Sequence, residues 1–139
     1  MSFKISSSPL PQSLLAPDRS VGALVRFVGL VRELNENRRV LSLEYEAFDD
    51  LALREGDRVL SEAMKAFPIF DAACTHRVGH LALGDEAIVV EVVSAHRKEA
   101  FAACSWIVDE IKSRVPIWKK EFYVDGESVW LEPKPEAKP

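Results

Sequence analysis

The sequence predicts an α+β fold, a mainly antiparallel sheet with two main helices and a C-terminal hairpin. Three observations carry this. Strand-like runs come in neighbouring groups and not in strict alternation with helices, which argues against a doubly wound parallel sheet. Two segments, about 50–66 and 96–114, carry an apolar stripe at helical spacing. Asp125-Gly126, between "IWKKEFYV" and "ESVWLE", is a strong hairpin signal.

The elements follow in order. The first 20 residues hold three prolines and a run of serines, enough for a short strand and then a loop. "GALVRFVGLVRE" (22–33) reads as a strand apolar on much of both faces, and "NENRR" (35–39) as a polar turn. "VLSLEYEAF" (40–48) alternates Leu41, Leu43, Tyr45 and Ala47 with Ser42, Glu44 and Glu46. It is expected to be half-buried and to form a hairpin with the preceding strand. Asp49-Asp50 offers a cap for the first helix, and Pro68 ends it. "DAACTHRVGHLAL" (71–83) is one more strand region, Gly84-Asp85 a turn, and "EAIVVEVVSA" (86–95) the most strand-like run in the chain. Ser94 is placed to cap the second helix, whose stripe is Phe101, Cys104, Ile107, Val108 and Ile111. Pro116 stops it.

A chain of 139 residues reads as a single domain, here 1–132, with 133–139 (PKPEAKP) a disordered tail. Its net charge of −4 argues against general binding to nucleic acid or to an anionic membrane. No apolar run approaches the ~20 residues of a membrane span, and "MSFKISSSPLPQ" lacks the core of a signal peptide. The expected location is cytoplasmic. Cys74 and Cys104, without a CxxC, read as reduced core thiols.

The charge is unevenly distributed. From His96 to Glu121 there are six Lys/Arg against four acids, a local +2 that leaves −6 for the rest. Such a segment is either a focused site for a small anion or a solvated face. His96-Arg97-Lys98 stands where a helix N-terminus exposes free N–H groups, a place that favours anions; a frayed surface end is the plain alternative. Lys112 shares a helical stripe with Arg97, Phe101 and Val108. It is either a snorkelling side chain or a partly desolvated amine able to act as nucleophile or acid/base. In "VPIWKKEF" one of Lys119 and Lys120 faces inward with Ile117 and the other outward with Trp118. Arg26 and Arg32 are each a phosphate clamp or a surface charge. His76 and His80 have HxxxH spacing, but the segment looks extended and no acidic third ligand is evident, so no metal is expected.

Taken together, "GALVRFVGLVR" (22–32), "LEYEAF" (43–48), "HRVGHLALGDEAIVVEVVSAHRKEAF" (76–101), "IKSRVPIWKKE" (111–121) and "GESVW" (126–130) resemble the large, catalytic subunit family of molybdopterin synthase. The combination SAHR-x-x-AF followed by K-x-R-x-P-x-W-K carries most of the resemblance. It implies an α/β-hammerhead type of fold and a sulfurtransferase that converts precursor Z, a cyclic pyranopterin monophosphate, to molybdopterin. The sulfur would arrive as a thiocarboxylate on the C-terminal Gly-Gly of a small ubiquitin-like partner, with a homodimer at the centre of a heterotetramer and no cofactor of the chain's own. By position, Lys112 and Lys119 would be catalytic, and Arg32, His96 and Arg97 would hold phosphate and pterin. Lys120 and Glu121 complete the second lysine motif, and Phe27 and Val108 would line the pocket. Leu30, before Val31-Arg32, departs from the polar or basic residue common there, and could contact substrate only by packing or through its backbone.

Two other readings remain: a non-catalytic anion- or nucleotide-binding regulatory oligomer, and an interaction module that needs only apolar surface. Geometry adds one expectation. Fifteen helical residues separate Arg97 from Lys112 by about 22 Å, too far for side chains of about 6 to 7 Å to meet around one pterin. If both ends of the helix serve one substrate, they come from different copies of the chain.

Overall fold

The computed structural model describes residues 1–131, so the expected tail at 133–139 lies outside the described residues. In order, the elements are β1 (Ser2–Ser6), β2 (Ala23–Leu30), β3 (Leu34–Asn35), β4 (Arg38–Ala47), α1 (Asp49–Ala66), β5 (Asp71–Arg77), β6 (Gly79–Ala82), β7 (Glu86–Ser94), α2 (Arg97–Arg114), β8 (Ile117–Tyr123) and β9 (Ser128–Leu131). They form two sheets. The first runs β1-β5-β7-β2, and the second β3-β4-β8-β9 with β6 also paired to β4. Only β1·β5 is parallel among the described pairs. The α+β expectation holds, as does the C-terminal hairpin, in which Lys120 faces Trp130 across β8·β9.

One pairing differs from the sequence reading. β2 and β4 are not hairpin partners. β2 pairs along its length with β7, from Ala23↔Ser94 to Leu30↔Glu86. β7 is buried on both faces, and β2 lies beside it as the half-exposed edge strand of the first sheet, whereas the half-polar β4 joins the second. The hairpin partner of β4 is the two-residue β3. The turn between them is Glu36-Asn37, both at positive φ (49° and 67°), the geometry that matches strand twist in a two-residue hairpin.

The single strand region at 71–83 is likewise two strands. At Gly79, with φ 95°, the chain leaves the first sheet and enters the second. Neither predicted helix cap is used. Asp49 and Asp50 lie in the first turn of α1 behind an N-cap at Phe48. Ser94 is buried, and its Oγ donates to the His96 carbonyl at 2.5 Å, which leaves His96 as an N-cap with no side-chain bond to the helix.

Both helices cover one face of the first sheet. Val59, Leu60 and Ala63 of α1 meet Ala103, Ile107 and Ile111 of α2 over Val90 and Val92. Gly56 is needed here, because a Cβ on it would stand 2.2 Å from the Phe3 ring. On the opposite face Glu91 is buried. It accepts the Leu14 and Leu15 N–H groups at 3.1 and 2.9 Å and pairs with Arg26, so Arg26 fastens the N-terminal segment instead of facing a ligand. A smaller core of Val31, Leu43, Leu81 and Ala87 joins the two sheets. Arg114 fixes the end of α2, bonded to Glu62 of α1 at 2.7 Å and to Glu110 at 3.1 Å. No helix among the described residues is long and apolar enough to cross a membrane.

Candidate active site

Where the two sheets meet, the seam opens into a cleft of about 640 Å³, the size that suits a small molecule. Three segments supply its functional walls. The end of β2 and the loop after it give Leu30, Val31 and Arg32; the last turns of α2 give Asp109 and Lys112; β8 gives Ile117, Lys119 and Glu121. Strand alternation explains the last set. Ile117, Lys119 and Glu121 share the cleft side, while Lys120 lies on the other face, its ammonium 5.3 Å from the Phe122 ring centre and 5.6 Å from that of Trp130.

Glu121 is the fixed point. Only 2% of it is exposed. Oε1 accepts Asn35 Nδ2 and the Tyr123 hydroxyl, each at 2.8 Å, and Oε2 lies 3.6 Å from Lys119 Nζ. Burial, with the Glu121 charge nearby, pushes the Tyr45 phenol up to about 12, so it stays protonated. His76 stands edge-on to Tyr45 at 4.8 Å, and its burial pulls the imidazole down to about 4. Lys112 and Arg32 are exposed and have no ion-pair partner among the described residues. Within one chain, therefore, burial does not desolvate Lys112.

The cleft gathers Leu30, Val31, Arg32, Lys112, Lys119 and Glu121. It does not gather the rest. His96 and Arg97 stand exposed at the opposite end of the unbroken α2. Phe27 packs against the helical core, and Val108 lies within it at 7% exposure. His76 and His80 fall in different strands of different sheets. Asn35, Tyr45, His76 and Asp109 also line the cleft, although the sequence reading assigned them no part in a site. The inward alternation of Tyr45 was the one available signal; the others depend on how the sheets meet.

The arrangement presents cations toward a pocket with an apolar floor, and a carboxylate holding one of the amines. It offers no thiol. Cys74 and Cys104 are both buried, and burial raises both, Cys104 to about 11 and Cys74 further, so they remain protonated.

The chain is similar to known proteins over most of its length. The profile of the family described as "MoaE protein" matches residues 4–114. A molybdopterin synthase catalytic subunit from Pyrococcus abyssi is 48% identical over 118 residues, covering 85% of this chain and 79% of that one. The crystal structure of a molybdopterin synthase from Staphylococcus aureus superposes with a TM-score of 0.83 at 33% identity, over 91% of this chain and 94% of that chain. A complex of subunits 1 and 2 of a molybdopterin-converting factor from Helicobacter pylori shares the fold at a TM-score of 0.67 and 19% identity, over 85% of this chain and 77% of that one.

Proposed function

The chain belongs to the MoaE protein family, and from that premise we propose how its cleft takes part in the conversion of precursor Z to molybdopterin by a catalytic subunit of molybdopterin synthase. The observation that carries the proposal is the convergence of Lys112, Lys119 and Arg32, from three separate elements, on one cleft of small-molecule size. Cations held over an apolar floor bind an anionic ring compound and stabilise negative charge that develops during acyl and sulfur transfer.

Lys112 and Lys119 are the catalytic amines. Glu121, held by Asn35 and Tyr123, fixes the position of the Lys119 ammonium. Arg32 takes part of the phosphate charge. Sulfur comes from outside the chain, from the C-terminal thiocarboxylate of a small ubiquitin-like partner whose extended tail enters the cleft. Each transfer leaves that terminus as a carboxylate, with oxygen in place of sulfur. The buried, protonated state of both cysteines agrees with a route that uses no thiol of this chain.

His96 and Arg97 act on the cleft of a second copy. Their end of α2 has open N–H groups, because Ser94 bonds to the His96 carbonyl and no side chain caps the helix. Such an end favours a phosphate. It lies about 22 Å from Lys112 along the same helix, so a two-fold dimer is the arrangement that brings both ends to one pterin.

The test supplies the purified protein with the thiocarboxylated partner and cyclic pyranopterin monophosphate, and follows formation of the dithiolene. Product in proportion to thiocarboxylate consumed is expected. Tight binding of both reactants without any product would instead favour a binding role.

A further inference from the structure

The cations of the cleft leave unexplained a buried base in the same wall. His76 is the last residue but one of β5, close to where the chain turns out of the first sheet, between Ile5 of β1 and Ile88 of β7. The residue is 7% exposed. Its Nδ1 lies 2.8 Å from the Arg77 carbonyl oxygen. A carbonyl oxygen can only accept, so Nδ1 carries the proton of the neutral ring and Nε2 is left as a bare acceptor. Nε2 has no protein partner among the described residues. Nor is it one of the buried side-chain atoms left unpaired there, which are Arg77 Nε and Glu99 Oε2. Nε2 is thus the free acceptor of a residue that lines the cleft. Burial keeps the imidazole neutral, with its pKa displaced to about 4, so the acceptor persists through neutral pH.

The charged groups of the wall are differently disposed, and the neutral Asn35 and Tyr45 are held against Glu121 and His76. Arg32, Lys112 and Lys119 only donate. Glu121 is already occupied by Asn35, Tyr123 and Lys119. Asp109 is a charged acceptor on α2, three residues before Lys112, where a cation satisfies it equally well. A neutral, buried acceptor held against Tyr45 suits a neutral donor on a flat ring. We propose that His76 is a specificity-determining residue whose Nε2 accepts a hydrogen bond from a ring or exocyclic N–H of the pterin, while the cations take the anionic part of the same molecule. This rests on the pterin reading above. A site that read only phosphate would gain nothing from it.

His76→Phe keeps a ring beside Tyr45 and removes the acceptor, and His76→Gln returns an acceptor. The probes are a pterin phosphate monoester, the same pterin methylated on its nitrogens, and inorganic phosphate, with binding measured by calorimetry. His76→Phe is expected to weaken the pterin phosphate about tenfold, to leave inorganic phosphate unchanged, and to raise KM for the cyclic pyranopterin with kcat nearly constant. His76→Gln should recover part of the loss. Unchanged pterin affinity in the folded Phe variant overturns the assignment, and so does an equal loss for pterin and inorganic phosphate, which marks a merely structural role. The wild-type protein decides independently of folding: it must prefer the pterin to the methylated pterin, and equal affinities overturn the proposal. Pterin binding by the wild type without sulfur transfer would fail the catalytic reading alone.

Discussion

Lys119 Nζ lies 3.6 Å from Oε2 of Glu121 on the cleft side of β8, and of the two it is Glu121 that the fold holds still. The carboxylate is buried and accepts Asn35 and Tyr123, whereas the lysine side chain is 36% exposed. Glu121→Gln keeps an acceptor for both neighbours and removes the charge. Sulfur transfer should fall about ten- to hundredfold with the thermal midpoint close to wild type. Glu121→Ala should also lose about 1–3 kcal/mol of stability, since it strands the buried Tyr123 hydroxyl and the half-buried Asn35 amide. Thermal unfolding beside single-turnover assays separates the two effects.

Lys112→Ala should abolish sulfur transfer and Lys119→Ala should reduce it severely, both with the fold intact. Lys112 is exposed and Lys119 half-exposed in the single chain, so truncation opens no cavity. Circular dichroism and product formation check this. Wild-type turnover by the Lys112 variant would remove it from the chemistry.

These lysines show what the sequence could and could not disclose. The inward face of Lys119 and the outward face of Lys120 follow from strand period alone, and the structure keeps both. The two helices and the Asp125-Gly126 hairpin were legible for the same reason, since local pattern decides them. Long-range pairing was not. An apolar strand pattern does not name its neighbour: the sequence expects β2 beside β4, and it lies beside β7 as the half-exposed edge of the first sheet. Helix caps misled because Ser94 is buried at a strand end, where its hydroxyl bonds to a nearby carbonyl instead. The Glu91–Arg26 pair and the His76–Tyr45 contact join residues far apart in sequence, and only the sheets bring them together.

The cysteines should be dispensable for activity. Both are buried and held as thiols. A Cys74→Ser, Cys104→Ser protein is expected to lose about 1–3 kcal/mol per site from burying a hydroxyl and to keep its sulfur transfer when given thiocarboxylated partner. A folded but inactive double variant would point to a persulfide on this chain.

Stability should carry the signature of His76. Its folded pKa of about 4 lies below the unfolded value of 6.5, so the unfolded chain takes up a proton first as pH falls. The contribution is complete above about pH 6.5 and is lost as pH falls toward 4, by on the order of 3 kcal/mol. Denaturant titrations at pH 7 and pH 4.5, compared with those of His76→Phe, isolate this from the carboxylates common to both. The wild type should lose more stability over the interval than the variant; parallel losses would contradict the assignment.

The central claim is that both ends of α2 serve one pterin, but from different copies of the chain. Mixing inactive Arg97→Ala with inactive Lys112→Ala subunits tests it most directly. A heterodimer would hold one site with both substitutions and one with neither. Activity should return to about half the wild-type value per dimer. Verified heterodimers that remain dead, while each variant still binds the sulfur-carrying partner, would place the whole site within a single chain and contradict the account.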